Sequence, residues 1–151
     1  MTDKPALRFQ RANYLVKDLD RALELYCGVL GFSIASTKNS AKESYSYSVF
    51  EIDRAAAMRF VVLSAPDQPR VMALTEIKNA KTPQPSVPRR AAIVLEIPDI
   101  DGVVAAARAK GFHVYDESKL VTQDGREGRE VGIVDADDNL VVIYHITKAA
   151  D

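Results

Sequence analysis

A chain of 151 residues, 47% hydrophobic and 27% charged, has the length and composition of one globular domain with a buried core. Its formal net charge of −1 gives no electrostatic pull toward nucleic acid or an anionic membrane, and no apolar run approaches the length of a membrane span. A single cysteine, Cys27, excludes an intramolecular disulfide, and MTDKPALRFQ has no signal-peptide apolar stretch, so a soluble cytoplasmic protein is the expectation.

Leu7 to Val16 reads as the first strand. The helix that follows is written in VKDLDRALELYCGVLGF, residues 16–32. Asp18 stands at the N-cap, and Asp20 adds negative charge at the positive end of the helix dipole. Leu19, Ala22, Leu23, Tyr26, Cys27 and Leu30 recur at spacings of three and four and share one face, leaving Arg21 and Glu24 in water. Gly31 ends the helix, and Phe32 to Thr37 reads as the second strand. Residues 38–57 are ambiguous between a long excursion with at most a turn of helix, acting as a lid, and a further strand over Tyr45–Ile52. Met58–Ser64 and Arg70–Ile77 are strand-length apolar runs joined by the proline turn APDQPR. NAKTPQPSVPRR carries three prolines and reads as a linker between modules.

A second module repeats the first. Asp99, Asp101 and Gly111-Phe112 answer Asp18, Asp20 and Gly31-Phe32 at an offset of about 81 residues, as two fused copies of one unit would. Strands are expected at Ala91–Ile97, Phe112–Asp116, Arg129–Val134 and Leu140–Thr147, with a helix over Asp99–Lys110 and ESKLVTQDGREG as a polar loop. The expected organisation is one domain: module one over about 7–78, a linker over about 79–90 and module two over about 91–147. Two helices among so many strands are too few for a doubly wound parallel sheet. The fold class expected is therefore α+β, two tandem βαβββ modules with helices outside the sheets.

VKDLDRALELYCGVLGF in the first module, and PDIDGVVAAARAKGF with DADDNLVVIYHI in the second, resemble the vicinal-oxygen-chelate superfamily. This group holds glyoxalase I, extradiol dioxygenases and the fosfomycin- and bleomycin-resistance proteins, and the resemblance covers essentially the whole chain. It implies curved, cup-like sheets around a pocket, often completed in a homodimer. Catalytic members place metal ligands at four strand positions, which map here onto Arg11, Ala73, Ala92 and Val142. Arginine is permanently cationic, and alanine and valine have no lone pair to donate. No metal and no cofactor are therefore expected.

Strand alternation adds the neighbours of those positions to the same face: Asn13, Thr75, Glu96 and Tyr144 among the polar ones. Arg11 is suited to pair with an anionic ligand group, or else to sit in a structural ion pair with Glu96 or Glu76. His113 is a candidate general base or a surface histidine, and Tyr45 and Tyr47 would close a lid over an aromatic ligand or stand free in solvent. His145 falls on the opposite face from Val142 and reads as structural. Nucleotide, hydrolase and paired-cysteine zinc motifs are absent.

Three functions fit. The first is a metal-independent protein that sequesters an aromatic or anionic metabolite or drug. The second is a metal-free isomerase, cyclase or lyase, with Arg11 stabilising an oxyanion and His113, Glu96 or Tyr144 moving a proton. The third is a degenerate module kept for dimerisation or regulation.

Overall fold

The computed structural model describes residues 6–81 and 87–150; part of the expected linker, 82–86, lies outside them. Module one holds β1 (Ala12–Val16), helix α1 (Leu19–Leu23, continued over Glu24–Val29), β2 (Ser33–Asn39), α2 (Tyr45–Val49), β3 (Ala57–Ala65) and β4 (Gln68–Lys78). Module two holds β5 (Ala92–Glu96), α3 (Ile100–Ala109), β6 (His113–Val114), β7 (Ser118–Val121), β8 (Glu127–Val134) and β9 (Leu140–Lys148). The fold is α+β with two mixed sheets, ordered β1-β4-β3-β2 and β5-β9-β8-β6, with β7 added to β8.

The duplication extends to register. Asn13 lies opposite Ala73 in the parallel β1–β4 pair, and Val94 lies opposite Val142 in the parallel β5–β9 pair. Both long helices begin on the expected aspartates. Asp18 accepts the Arg21 N–H at 3.1 Å and Asp99 the Gly102 N–H at 3.0 Å, each satisfying a free amide of the first turn.

Helix α1 differs from a regular amphipathic helix. Leu19–Leu23 is α-helical and Glu24–Val29 continues as a π-helix, with the Leu30 N–H reaching the Leu25 carbonyl at 2.8 Å. The wider turn brings two successive residues, Leu25 and Tyr26, into the core together, both fully buried. A 3.6-residue period assigns only one of them to the inner face.

One apolar core joins the modules. Leu19, Leu25 and Tyr26 of α1 and Ile100 and Ala107 of α3 pack with Val61, Leu63, Met72 and Leu74 of the first sheet and Val131, Ile133, Val141 and Ile143 of the second. The helices thus cover one face of each sheet. Arg21 fastens the helices to each other. It donates to the Lys110 carbonyl at 2.6 Å and lies 4.0 Å over the Phe112 ring.

Four expectations need correction. The first strand starts at Ala12, not Leu7. Its partner β4 loses regular geometry at Arg70, whose φ is 57°, and Leu7 and Phe9 stay exposed. Residues 45–52 do not form a strand: Ser44 caps a one-turn helix by accepting the Ser46 N–H at 3.3 Å. Tyr47, placed on a lid, is instead buried and donates to the Ala56 carbonyl at 2.7 Å, whereas Tyr45 is exposed. ESKLVTQDGREG is a hairpin, with β7 pairing β8 from Ser118–Glu130 to Val121–Glu127, so module two has one strand more than expected.

Candidate functional site

On the helix-free face the two sheets differ. In module one, Ala73, Thr75 and Ile77 of β4 are buried, as are Met58 and Val62 of β3 and, near them in chain and burial, Ala56 and Tyr47. The Thr75 hydroxyl is already committed to the Asn13 side-chain oxygen at 3.0 Å. Ala73 and Thr75 are therefore core positions, and Tyr47 anchors the segment before β3.

In module two, alternation brings Ala92, Val94 and Glu96 of β5 and Val142 and Tyr144 of β9 to one face, with Glu96 opposite Tyr144 in register. Val94 is 62% exposed, although it is an apolar residue inside a strand.

A groove of about 610 Å³ opens where this face meets module one. Val94, Glu96, Ile97, Pro98 and Tyr144 form one wall. Leu30–Phe32, at the end of α1, and the β3–β4 turn Ala65–Gln68 form the other. The Tyr144 hydroxyl stands 3.5 Å from the Glu96 carboxylate, the outer limit of a hydrogen bond, so both groups keep capacity for a ligand. A concave, largely apolar space with a few convergent polar groups is the form small-molecule sites take.

The opposite end of the module junction is closed. There the Tyr14 hydroxyl donates to the Leu140 carbonyl at 2.8 Å, the Asn139 side chain to the Leu15 carbonyl at 3.0 Å, and the Lys17 N–H to Asp137 at 3.2 Å. Beneath them the buried Tyr26 hydroxyl donates to Asp135 at 2.9 Å. Burial, then the Asp135 charge, pushes the Tyr26 phenol well above its usual value, and burial does the same more mildly for Tyr14. Burial also raises the Asp137 carboxyl and the Cys27 thiol, which works against a reactive thiolate at Cys27.

The other sequence candidates lie apart from the groove. Arg11 is exposed just before β1. Neither suggested ion pair forms: Glu76 binds the Leu19 N–H at 2.6 Å and Arg59 at 3.3 Å, while Glu96 faces Tyr144. His113 sits on edge strand β6, edge-on to Tyr115 with ring centroids 4.5 Å apart. Tyr115 in turn accepts from Arg89 at 2.7 Å, and Arg89 pairs with Asp138 at 2.6 Å. This cluster packs the second sheet's rim and has no place in the groove.

The family model described as Glyoxalase/Bleomycin resistance protein/Dioxygenase superfamily matches residues 8–143. The chain belongs to this superfamily. Among solved structures, the glyoxalase family member is similar to a glyoxalase family protein from Bacillus cereus, with a TM-score of 0.72 and 16% identity over 97% of this chain and 98% of that one. It is similar to TnmS3, an antibiotic binding protein from Streptomyces, at TM-score 0.59 and 16% identity over 96% and 100% of the two chains. A third is a variant of FosX, a fosfomycin resistance protein from Listeria monocytogenes, complexed with Mn(II) and a dihydroxypropylphosphonic acid, at TM-score 0.54 and 15% identity over 94% and 89%. No curated protein matches. At these identities the likeness carries the fold, which is shared by binders and metalloenzymes alike.

The metal that the family implies has no donors at its four positions here. Arg11, Ala73, Ala92 and Val142 offer no lone pair suited to a divalent ion. Among the described residues, no three His, Cys, Asp or Glu side chains stand together as a ligand set.

Proposed function

We propose that this superfamily member is a metal-independent small-molecule binding protein whose ligand occupies the groove between the modules. The observation that carries the reading is that groove: about 610 Å³, apolar walls from both modules, and Glu96 and Tyr144 converging on it from adjacent strands. The donor-free residues at the family's ligand positions support independence from metal. A ligand bridging two modules stabilises the folded chain by mass action, by about 2.7 kcal/mol at a hundredfold excess over Kd. The test is thermal unfolding with aromatic and polycyclic ligands, with and without chelator. Ligand-dependent rises in Tm that chelator leaves unchanged are expected; a Tm that chelator alone lowers would sink the reading.

A metal-free isomerase, cyclase or lyase is the second reading, favoured by the 3.5 Å approach of the Tyr144 hydroxyl to Glu96. In it Glu96 removes a proton and Tyr144 returns one, and Arg11 and His113, which do not line the groove, have no part. Glu96→Gln separates the two readings, since an enzyme loses turnover with its ligand still bound. A homodimer and a cytoplasmic setting belong to the same proposal. Among the described residues no helix is long and apolar enough to cross a membrane.

A further inference from the structure

We propose that the groove takes an organic cation, an ammonium group carried on an apolar or aromatic body. This deepens the binding reading above and rests on it.

The charge of the lining points that way. Glu96 and Asp67 line the groove, one from each wall, and no lysine, arginine or histidine does. Glu96 is exposed, and its one polar contact among the described residues is the long approach from Tyr144. An entering anion would meet two carboxylates and no cationic side chain, whereas an ammonium group would find Glu96 as a charge-assisted acceptor. Asp67 is fixed in the turn by a left-handed backbone, φ 59°, which aspartate tolerates better than most residues.

The remaining walls suit the rest of such a ligand. Leu30, Phe32, Val94, Ile97 and Pro98 supply apolar contact, and Tyr144 adds an aromatic side chain to the lining, a residue type that cations favour. The asymmetry of the junction gives an independent reason for the space. At the closed end, the turn before β9 is tied to β1 through Asp137 and Asn139. At the open end, the corresponding turn before β4 makes no hydrogen bond to β5 among the described residues. The anion pairing suggested by Arg11 has no counterpart in the groove, because Arg11 is not among its lining residues.

The experiment is a pair of NMR titrations of the full chain, one with 3-phenylpropylammonium and one with 3-phenylpropanoate, at equal salt. Saturable shifts confined to Leu30–Phe32, Val94–Pro98 and Tyr144 are expected with the ammonium and not with the carboxylate. Glu96→Gln is expected to weaken the ammonium about tenfold, the loss of one charge-assisted bond, and Tyr144→Phe to weaken it less. Both positions are solvent-accessible, so the variants' spectra report whether the fold is kept. Equal or tighter binding of the carboxylate in the groove would overturn the cation assignment while leaving the groove a binding site. Silence from both probes at millimolar concentration would overturn the assignment and the binding reading together.

Discussion

Tyr26→Phe probes the lock that holds the two modules in register. The Tyr26 phenol is fully buried in α1 and donates to Asp135, in the turn before β9, at 2.9 Å. The same carboxylate accepts the Asp137 N–H at 2.8 Å, the Asn139 N–H at 2.9 Å and the Asn139 side-chain amide at 2.9 Å. Removing one hydroxyl costs a hydrogen bond to a charged acceptor, about 1.5–3 kcal/mol. Three donors remain on the carboxylate, so a loss of about 2 kcal/mol is expected, a fall in Tm of about 4–8 °C for a domain of this size. Urea unfolding reads it directly as a lower midpoint at unchanged slope. The alkaline limb gives a second reading. Burial, then the Asp135 charge, holds the Tyr26 phenol well above 10.0 in the folded chain, while the unfolded chain releases that proton near 10. Above pH 10 the unfolded state therefore binds fewer protons, and stability falls as pH rises until the folded phenol itself titrates. Tyr26→Phe abolishes that share of the fall; Tyr14, raised more mildly, retains a remainder. A stability loss below about 0.5 kcal/mol, with an alkaline limb identical to wild type, would refute the lock.

Gly128→Ala is expected to cost about 2 kcal/mol or more in urea unfolding, because the added methyl would clash with the His145 carbonyl across the β8–β9 irregularity. Glu76→Leu strands the Leu19 N–H and leaves the Arg59 guanidinium with Asp20 at 3.6 Å as its remaining ion pair, and a loss of about 2–3 kcal/mol is expected by thermal or urea unfolding. Arg129 hydrogen-bonds Asp101 and Glu117, each at 2.6 Å, and holds both carboxyls below their usual values. The stability they add is present above their unfolded values and lost as pH falls through the lowered ones. Arg129→Gln should flatten the acid limb slightly, read by Tm against pH between about 5 and 2.

Much of the fold is legible in short motifs. Asp18 and Asp99 announce helix starts because a cap needs only a local side chain and two free amides, and both cap as expected. The alternation that brings Ala92, Val94 and Glu96 to one face is equally local. Leu25 escapes periodic reading because the π-helical stretch shifts the inner face by one residue. β7 escapes it because Ser118–Val121 is mostly exposed and carries no alternation; its strand character comes from pairing with β8. The first sheet's counterparts, Ala73 and Thr75, match the alternation but are buried, and no local pattern reports that burial. Half of the groove has the same origin. Leu30, Phe32 and the Ala65–Gln68 turn meet Glu96 and Tyr144 only through the packing of one module against the other. Glu96 and Tyr144 can be found from strand parity, but their partners in the opposite wall cannot.

Native mass spectrometry of freshly purified chain, beside its Glu96→Gln variant, reaches the central claim most directly, because one spectrum reports ligand, metal and subunit number. An organic adduct on the wild type that survives chelator and is depleted in the variant is the expected result. A stoichiometric divalent metal on the wild type, or an adduct equally occupied in both proteins, would contradict a metal-independent ligand held in the groove at Glu96.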